Sequence, residues 1–270
     1  MTSQPDMSAV KERMSKVWTS GEYARIGNPL VLIGELLCEA ADLRSGCKVL
    51  DVATGSGNTA ISAARHFCEV IGMDLAPESI EHARQRAEAE GMEITFEVGD
   101  AEELAYADGS FDAVLSTIGV MFCPRQEQAA SELLRVCHPG GKIGLASWTP
   151  EGFIGQMLKT VAGHVPPPPG IKSPLLWGTE DRLVELFGEE ISSLDATRRI
   201  YNFRYPSADH FVEWFRDYYG PTVRAFAALD PDGKEALAAD LKNLLDKRNI
   251  SGDETLVVPS EYLEAVALRR

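Results

Sequence analysis

The fold is decided by the stretch Val49-Leu50-Asp51-Val52-Ala53-Thr54-Gly55-Ser56-Gly57-Asn58-Thr59-Ala60. It begins as a short apolar strand, carries an acidic residue, turns at two glycines and continues as a helix of small residues. Glycine at such a turn lets a ligand come close to the backbone. The first turn of the helix directs free N–H groups at the same point. The stretch therefore predicts a binding site for a nucleotide-type cofactor.

Short apolar segments alternate with helical segments along the first half of the chain. The predicted strands are Lys48–Ala53, Glu69–Asp74, Ile94–Val98, Phe111–Thr117 and Lys142–Trp148. The predicted helices between them are Asn58–His66, Pro77–Glu90 and Gln126–Val136. This alternation predicts an α/β fold with a parallel, doubly wound, Rossmann-like sheet. Ligands of such sheets bind beyond the carboxyl ends of the strands, and Asp51, Asp74 and Asp100 lie at or just after three of those ends.

The flanking segments follow other patterns. Apolar spacing predicts an amphipathic helix over Met7–Trp18 and a second helix over Asn28–Ala41. The elements predicted after Trp148 are helices over Gly152–Gly163 and Asp181–Phe187, a long strand over Ile191–Tyr205, a helical stretch over Ser207–Ile250 interrupted at Gly220-Pro221, and closing strand segments over Thr255–Pro259 and Tyr262–Leu268. The second half therefore carries a helical insertion before its last strand.

Composition and charge exclude several classes of protein. The 270 residues are 44% hydrophobic and 25% charged, which is typical of a globular protein. A formal net charge of -15 argues against non-specific binding of nucleic acid. No apolar run reaches the roughly 18 residues of a membrane span, and the polar start predicts no signal peptide. Five scattered cysteines without a Cys-x-x-Cys pair predict free thiols, a cytoplasmic location and no metal site.

Two cofactor classes compete for the glycine turn. Gly55-x-Gly57-x-x-Ala60, with Asp74 about twenty residues on, satisfies a loose dinucleotide pattern. Against this, Asp51 would repel a pyrophosphate but can pair with a cationic ligand. An acid after the third strand, Asp100, can accept a hydrogen bond from the exocyclic amine of an adenine. Acids after three strands suit a ligand with an ammonium and sulfonium end, a ribose diol and an adenine, which is S-adenosylmethionine.

The chain resembles the class I S-adenosylmethionine-dependent methyltransferases, and most closely the branch with the ubiquinone and menaquinone biosynthesis enzymes. The resemblance covers roughly residues 25 to 148. The matching stretches are Val49 to Gly57, Gly72-Met73-Asp74-Leu75, Gly99-Asp100-Ala101-Glu102-Glu103-Leu104, Phe111-Asp112-Ala113-Val114 and Leu134-Arg135-Val136-Cys137-His138-Pro139-Gly140-Gly141. One departure is Ala53, where many members carry glycine.

The resemblance implies a role for each matching residue. Asp51 and the backbone from Ala53 through Thr54, Gly55 and Ser56 to Gly57 hold the methionine moiety. Asp74 accepts both ribose hydroxyls, and Leu75 packs on the adenine. Asp100 contacts the adenine amine, with Ala101 and Glu102 beside it. Thr117 and Ile118 face the sulfonium, and Tyr23 also contacts the cofactor.

The resemblance also implies an organisation. It predicts one methyltransferase domain over 1–270 with a mostly parallel seven-stranded sheet. The predicted parts are an N-terminal helical lid over 1–27, a cofactor-binding core over 28–150, and a C-terminal half over 151–270 with a helical substrate cap at about 207–250. Gly21 and Gly27 would give the lid its hinge freedom.

The implied reaction is an in-line displacement at the methyl carbon, for which the protein supplies alignment and excludes water. Two segments are expected to shape the acceptor pocket: the lid with Trp18 and Tyr23, and the aromatic segment 201–219 with Tyr201 and Trp214. The alternative for the aromatic segment is a place in the core between insertion and sheet. The candidates for a general base are Tyr23, Tyr201, His164 and His210. A solvated surface position is the alternative for both histidines.

The acceptor is expected to be a small molecule. The Asn-Pro-Pro-Tyr type of motif found after the fourth strand of amino-methylating enzymes is absent, and the position reads Ser116-Thr117-Ile118-Gly119-Val120-Met121-Phe122. Oxygen, nitrogen and carbon acceptors stay open, and the sequence does not indicate the oligomeric state. The competing hypotheses are a cofactor-binding protein without catalysis, an NAD-dependent oxidoreductase, and arsenic methylation by cysteine thiols.

Overall fold

The computed structural model describes Trp18 and residues 22–270. Apart from Trp18, the predicted helix Met7–Trp18 and the predicted hinge at Gly21 lie outside the described residues. The strands are β1 (Lys48–Val52), β2 (Glu69–Asp74), β3 (Thr95–Val98), β4 (Phe111–Thr117), β5 (Cys137–Trp148), β6 (Ile191–Tyr205) and β7 (Leu256–Arg269). They form one seven-stranded sheet in the order β3-β2-β1-β4-β5-β7-β6.

The first five strands of this sheet are parallel, and the last two are not. β1 pairs with β2 and β4, β2 with β3, and β4 with β5, all in parallel. β7 runs antiparallel between β5 and β6. The predicted α/β fold with a mostly parallel seven-stranded sheet is therefore confirmed.

The helices connect and cover the strands. The α-helices are α1 (Tyr23–Gly27), α2 (Val31–Ala40), α3 (Asn58–Arg65), α4 (Pro77–Ala89), α5 (Gln126–Val136), α6 (Phe153–His164), α7 (Glu180–Phe187), α8 (Ala208–Tyr218), α9 (Gly220–Ala228) and α10 (Pro231–Arg248). Short 3₁₀ turns occupy Asn28–Leu30, Val120–Phe122, Pro174–Gly178 and Gly188–Glu190. The predicted break at Gly220-Pro221 separates α8 from α9.

The sequence explains why the central strands lie inside. Four of the five residues of β1, Val49 to Val52, are buried, as expected for a parallel strand covered on both faces. Proline and glycine then set the helix boundaries. Pro77 occupies the first turn of α4, where its missing N–H costs nothing, and α9 and α10 begin in the same way.

Three predicted boundaries were wrong. β5 begins at Cys137 rather than Lys142. The predicted turn at His138 to Gly141 lies within the strand, as an irregularity where the pairing with β4 shifts register between Phe111 and Ala113. The two predicted closing segments are one strand, β7. Pro259 is tolerated in it because it lies beyond the last β5–β7 pair, Trp148 with Tyr262. The predicted helix Asn28–Ala41 starts as a 3₁₀ turn before α2.

The described part of the chain has neither a membrane-spanning helix nor a metal-binding cluster. No helix among Trp18 and residues 22–270 is long and apolar enough to cross a membrane. Within the same residues, no group of three or more histidine, cysteine, aspartate or glutamate side chains is arranged to hold a metal ion.

Candidate active site

A cavity opens at the carboxyl ends of β1, β2 and β4, where the topology of the sheet predicts a ligand site. The residues predicted to bind a cofactor that line it are Tyr23, Asp51, Ala53, Thr54, Gly55, Ser56, Asp74, Leu75, Asp100, Ala101, Glu102, Thr117 and Ile118. Gly57 does not line the cavity but caps the amino end of α3 in a left-handed conformation. The structure therefore brings nearly all of the predicted cofactor residues to one place.

Asp51 is a buried acidic group of this cavity. Its side chain is 1% exposed, and its Oδ2 accepts hydrogen bonds from the Thr54 hydroxyl and from the Ala60 N–H at 2.9 Å. Its Oδ1 is buried and has no hydrogen-bond donor among the described residues. Burial raises the pKa of Asp51 to about 7, and the nearby Asp74 contributes to the rise. A buried, unpaired carboxylate oxygen is the partner that a ligand ammonium requires.

Asp74 ties the glycine turn to the end of β2. Its Oδ2 accepts from the Gly55 N–H at 2.9 Å and its Oδ1 from the Ala76 N–H at 2.9 Å. Burial raises its pKa, and these backbone hydrogen bonds oppose the rise. Each carboxylate oxygen can accept a second hydrogen bond, so Asp74 retains acceptor sites for a diol.

The turn itself consists largely of left-handed backbone. Ala53 has a φ of 55°, Gly55 of 56° and Gly57 of 85°. A positive φ is sterically unfavourable for alanine and not for glycine. This difference explains why many members of the family that the sequence resembles carry glycine at the position of Ala53. Gly119 faces this turn, and a Cβ placed on it would lie 2.7 Å from the Ala53 Cβ. The floor of the cavity therefore requires glycine at 119.

Asp100 and Glu102 differ in what their side chains do. The Asp100 Oδ1 accepts from the Glu102 N–H at 2.8 Å. The Glu102 carboxylate is buried and accepts from the Arg125 N–H at 2.7 Å and from the Arg125 Nε at 2.8 Å. Glu102 therefore lines the cavity and also holds the segment that follows β4 through Arg125.

The segment after β4 forms the opposite wall. The Thr59 hydroxyl donates to the Thr117 hydroxyl at 2.8 Å, and Ile118 has a φ of 54°, which is unusual for a β-branched residue. Phe122 and Cys123 follow and also line the cavity, as does Gly119. None of these three residues was predicted from the sequence to belong to the site. Their position directly after a predicted strand, at the edge where ligands bind, was the available signal.

Aromatic rings cover one side of the cavity. The Trp18 ring packs edge-on against Tyr23, with centroids 5.5 Å apart, and against Phe122, with centroids 4.8 Å apart. It also contacts Tyr219 at 6.2 Å between centroids. The Tyr23 ring lies against the backbone of Gly55 and Gly27. Burial raises the pKa of Tyr23, and Asp74 raises it further.

The other predicted substrate or catalytic residues do not line this cavity. Tyr201, His210 and Trp214 line a separate groove. The Tyr201 hydroxyl donates to the Pro29 carbonyl oxygen at 2.9 Å. His164 lies at the end of α6, where its Nε2 is 2.8 Å from Asp240 Oδ2 on α10. The structure therefore does not place these four side chains with the predicted cofactor residues.

Known proteins are similar to this chain in sequence and in fold. The family described as a methyltransferase domain matches residues 49–141. An uncharacterised protein of Mycobacterium tuberculosis is 39% identical over 267 residues, covering 97% of this chain and 95% of that protein. The demethylmenaquinone methyltransferase of Thermus thermophilus is 34% identical over 161 residues, covering 54% of this chain and 73% of that enzyme.

A solved structure shares the fold of this chain. The YcgJ protein of Bacillus subtilis has a TM-score of 0.62 at 19% identity, covering 88% of this chain and 97% of that one. The chain belongs to the class I S-adenosylmethionine-dependent methyltransferases, in the ubiquinone and menaquinone branch, and S-adenosylmethionine is its cofactor. The unpaired Asp51 oxygen and the crowded glycine turn fit this cofactor.

Proposed function

We propose that the protein transfers the methyl group of S-adenosylmethionine to a small, largely apolar acceptor. The observation that carries this proposal is one cavity with two unlike sides. One side holds a buried carboxylate oxygen of Asp51 without a donor among the described residues. The other side is formed by the rings of Trp18, Tyr23 and Phe122. The first suits a cationic cofactor and the second an apolar molecule.

The proposed cofactor contacts follow the three acids. Asp51 would take the ammonium, Asp74 the ribose hydroxyls and Asp100 the adenine amine. The backbone from Ala53 to Gly57 would hold the methionine moiety, and Leu75 would cover the adenine. Thr117 and Ile118 would lie near the sulfonium. The bound cofactor supplies an activated methyl group, so this chain has only to orient the reactants and exclude water.

The walls of the cavity also favour a class of acceptor. Tyr23 is a poor general base, because its raised pKa keeps the phenol protonated near neutral pH. An acceptor that is already nucleophilic, such as an acidic phenol or an electron-rich ring, needs no stronger base. The Thermus thermophilus relative is named for demethylmenaquinone, a molecule with an aromatic ring system. The proposal extends to acceptors of that kind and leaves the methylated atom open.

Calorimetric titration with S-adenosylmethionine and S-adenosylhomocysteine tests the cofactor contacts. We expect binding that weakens at least tenfold in Asp74→Ala and is unchanged in Asp232→Ala, an exposed acid in the first turn of α10. Equal affinity in both variants would contradict the proposed role of Asp74. Binding of a nicotinamide cofactor instead would favour the oxidoreductase alternative.

Transfer of a labelled methyl group to a panel of phenols, hydroquinones and amines tests the reaction. We expect turnover with an aromatic, uncharged or acidic acceptor and none with hydrophilic amines. Tight cofactor binding without turnover on any acceptor would instead support a cofactor-binding protein that does not catalyse.

A further inference from the structure

A second concave site lies on the other side of α1 from the cavity. Tyr23 and Gly27 line the cavity, whereas Arg25 and Pro29 line this groove. The end of β6 contributes Tyr201 to Tyr205, and none of the described residues lines both sites. The groove has a volume of about 600 Å³, within the range of small-molecule sites. It is therefore separate from the cavity proposed for cofactor and acceptor.

The groove is positively charged in a strongly acidic chain. Arg25 and Arg204 line it together with His210, and no aspartate or glutamate among the described residues does so. Arg25 is paired with Glu22 at 2.6 Å. Arg204 is exposed and has no ion pair with the described part of the chain. The net charge of -15 repels anions from the chain as a whole. The groove differs locally, because arginines line it and no carboxylate of the described residues does, so an anion is favoured there.

Aromatic rings form the rest of the groove. The His210 ring stacks on Trp214, with centroids 5.6 Å apart and planes 18° apart, and the Tyr205 ring lies 5.8 Å from His210. The Arg25 guanidinium lies 5.9 Å from the centroid of Trp214. The Nδ1 of His210 is buried and has no hydrogen-bond partner among the described residues. The groove thus joins aromatic surfaces to the guanidinium of Arg204, which has no ion pair with the described part of the chain.

We propose that this groove binds a small aromatic anion, such as an aromatic carboxylate or sulfonate. The ring of the ligand packs against Trp214 and Tyr205, and Arg204 pairs with the anionic group. The proposal goes beyond the methyl transfer proposed above, because the occupant of the groove is neither the cofactor nor the acceptor. Tyr201 and Trp214, which the sequence predicted to bind the substrate, are assigned to this second ligand.

Fluorescence titration with 8-anilinonaphthalene-1-sulfonate tests the proposal on the full chain. This probe is an aromatic anion, and N-phenyl-1-naphthylamine is its uncharged counterpart. We expect Arg204→Gln to weaken binding of the sulfonate at least tenfold and to leave binding of the uncharged amine within twofold. Arg44→Gln is the matched control, because Arg44 is an exposed arginine that does not line the groove. This variant should bind both probes as the unaltered protein does.

The titration is repeated with saturating S-adenosylhomocysteine. Retention of the sulfonate affinity supports a separate site, whereas displacement would place the probe in the cofactor cavity and overturn the proposal. Equal effects of Arg204→Gln and Arg44→Gln would also overturn it. Circular dichroism checks that Arg204→Gln is folded, and its affinity for S-adenosylhomocysteine should be unchanged. Failure of the groove proposal therefore leaves the proposed methyl transfer untouched.

Discussion

Asp51 is held between opposing electrostatic forces. Burial disfavours its charge, while the Thr54 hydroxyl, the Ala60 N–H and the amino end of α3 favour it. Burial prevails, so the pKa rises from 3.8 to about 7. Between these values the folded chain binds a proton that the unfolded chain has released. The contribution of Asp51 to stability is therefore greatest below pH 4 and is lost as the pH rises towards 7.

A cationic ligand favours the ionised form of Asp51 over the protonated form. The ammonium of S-adenosylmethionine pairs with ionised Asp51, so binding below pH 7 must release the proton. The cofactor affinity should therefore increase about fivefold between pH 6 and pH 7, in proportion to the ionised fraction of a group with a pKa near 7. Calorimetry at pH 7 in two buffers of different ionisation enthalpy should detect about half a proton released per cofactor bound.

Asp51→Asn is the control for this pH dependence. The amide oxygen can still accept from Thr54 and Ala60, but it carries no charge and no titrating proton. The variant should bind the cofactor at least tenfold more weakly at pH 7 and should show a flat affinity between pH 6 and pH 7. The same slope in both proteins would assign the titration to another group.

Gly119 lies so close to its neighbours that the cavity floor has no room for one additional carbon atom. Gly119→Ala would place its Cβ 2.7 Å from both the Ala53 Cβ and the Ser116 Oγ. We expect a loss of about 1–3 kcal/mol in the free energy of unfolding and a weaker affinity for the cofactor. Gly163→Ala is the control, because no atom of the described residues lies within 4 Å of that added Cβ. Chemical denaturation should show it to be neutral or up to about 1 kcal/mol more stable.

Some of these residues could be found from sequence and others could not. Asp51 and Asp74 were predictable because a strand end in a parallel sheet fixes where the next side chain lies. The partner of Glu102 was not predictable, because Arg125 reaches it only through the fold after β4. The left-handed backbone of Ala53 was also not predictable, because an alanine in a sequence does not indicate a positive φ as a glycine does.

The short helix α1 is the wall between cavity and groove. Its Tyr23 faces the glycine turn and its Arg25 faces α8, where the guanidinium lies 4.8 Å from the centroid of Tyr218. Periodicity in the sequence predicted the helices of the insertion. Periodicity could not predict which element the aromatic faces of these helices contact, because that contact depends on how α8 packs against α1 and β6. Tyr201 and Trp214 were therefore predicted for the cavity and lie in the groove.

Tyr23 tests what α1 contributes to the reaction. Tyr23→Phe should keep kcat within about twofold, because a phenol with a raised pKa beside Asp74 does not act as a base near neutral pH. Tyr23→Ala should raise the cofactor Kd by about tenfold, because the ring that covers Gly55 is lost. Steady-state kinetics and calorimetry separate the two effects. A large fall in kcat for Tyr23→Phe alone would restore Tyr23 as the general base.

At the scale of the molecule, the sheet joins the first and second halves of the chain. The segment Lys142–Trp148 of β5 pairs with Tyr262–Leu268 of β7, and β7 lies between β5 and β6. Without β7, the buried residues Ile143 and Leu145 of β5 would lie on an open sheet edge. The predicted cofactor core, residues 28–150, therefore depends on the strand at the other end of the chain.

This connection predicts one cooperative unfolding transition. Saturation with S-adenosylhomocysteine at 100 times its Kd should stabilise the protein by about 2.7 kcal/mol and shift the whole transition upwards. Calorimetry should give equal calorimetric and van't Hoff enthalpies. Circular dichroism and tryptophan fluorescence, which includes Trp177 and Trp214 of the second half, should give the same midpoint. At the same ligand concentration, Asp74→Ala should keep the single transition and reduce the stabilisation to about 1.4 kcal/mol or less, because its Kd is at least tenfold higher. A second transition that the ligand does not move would show that the two halves unfold independently.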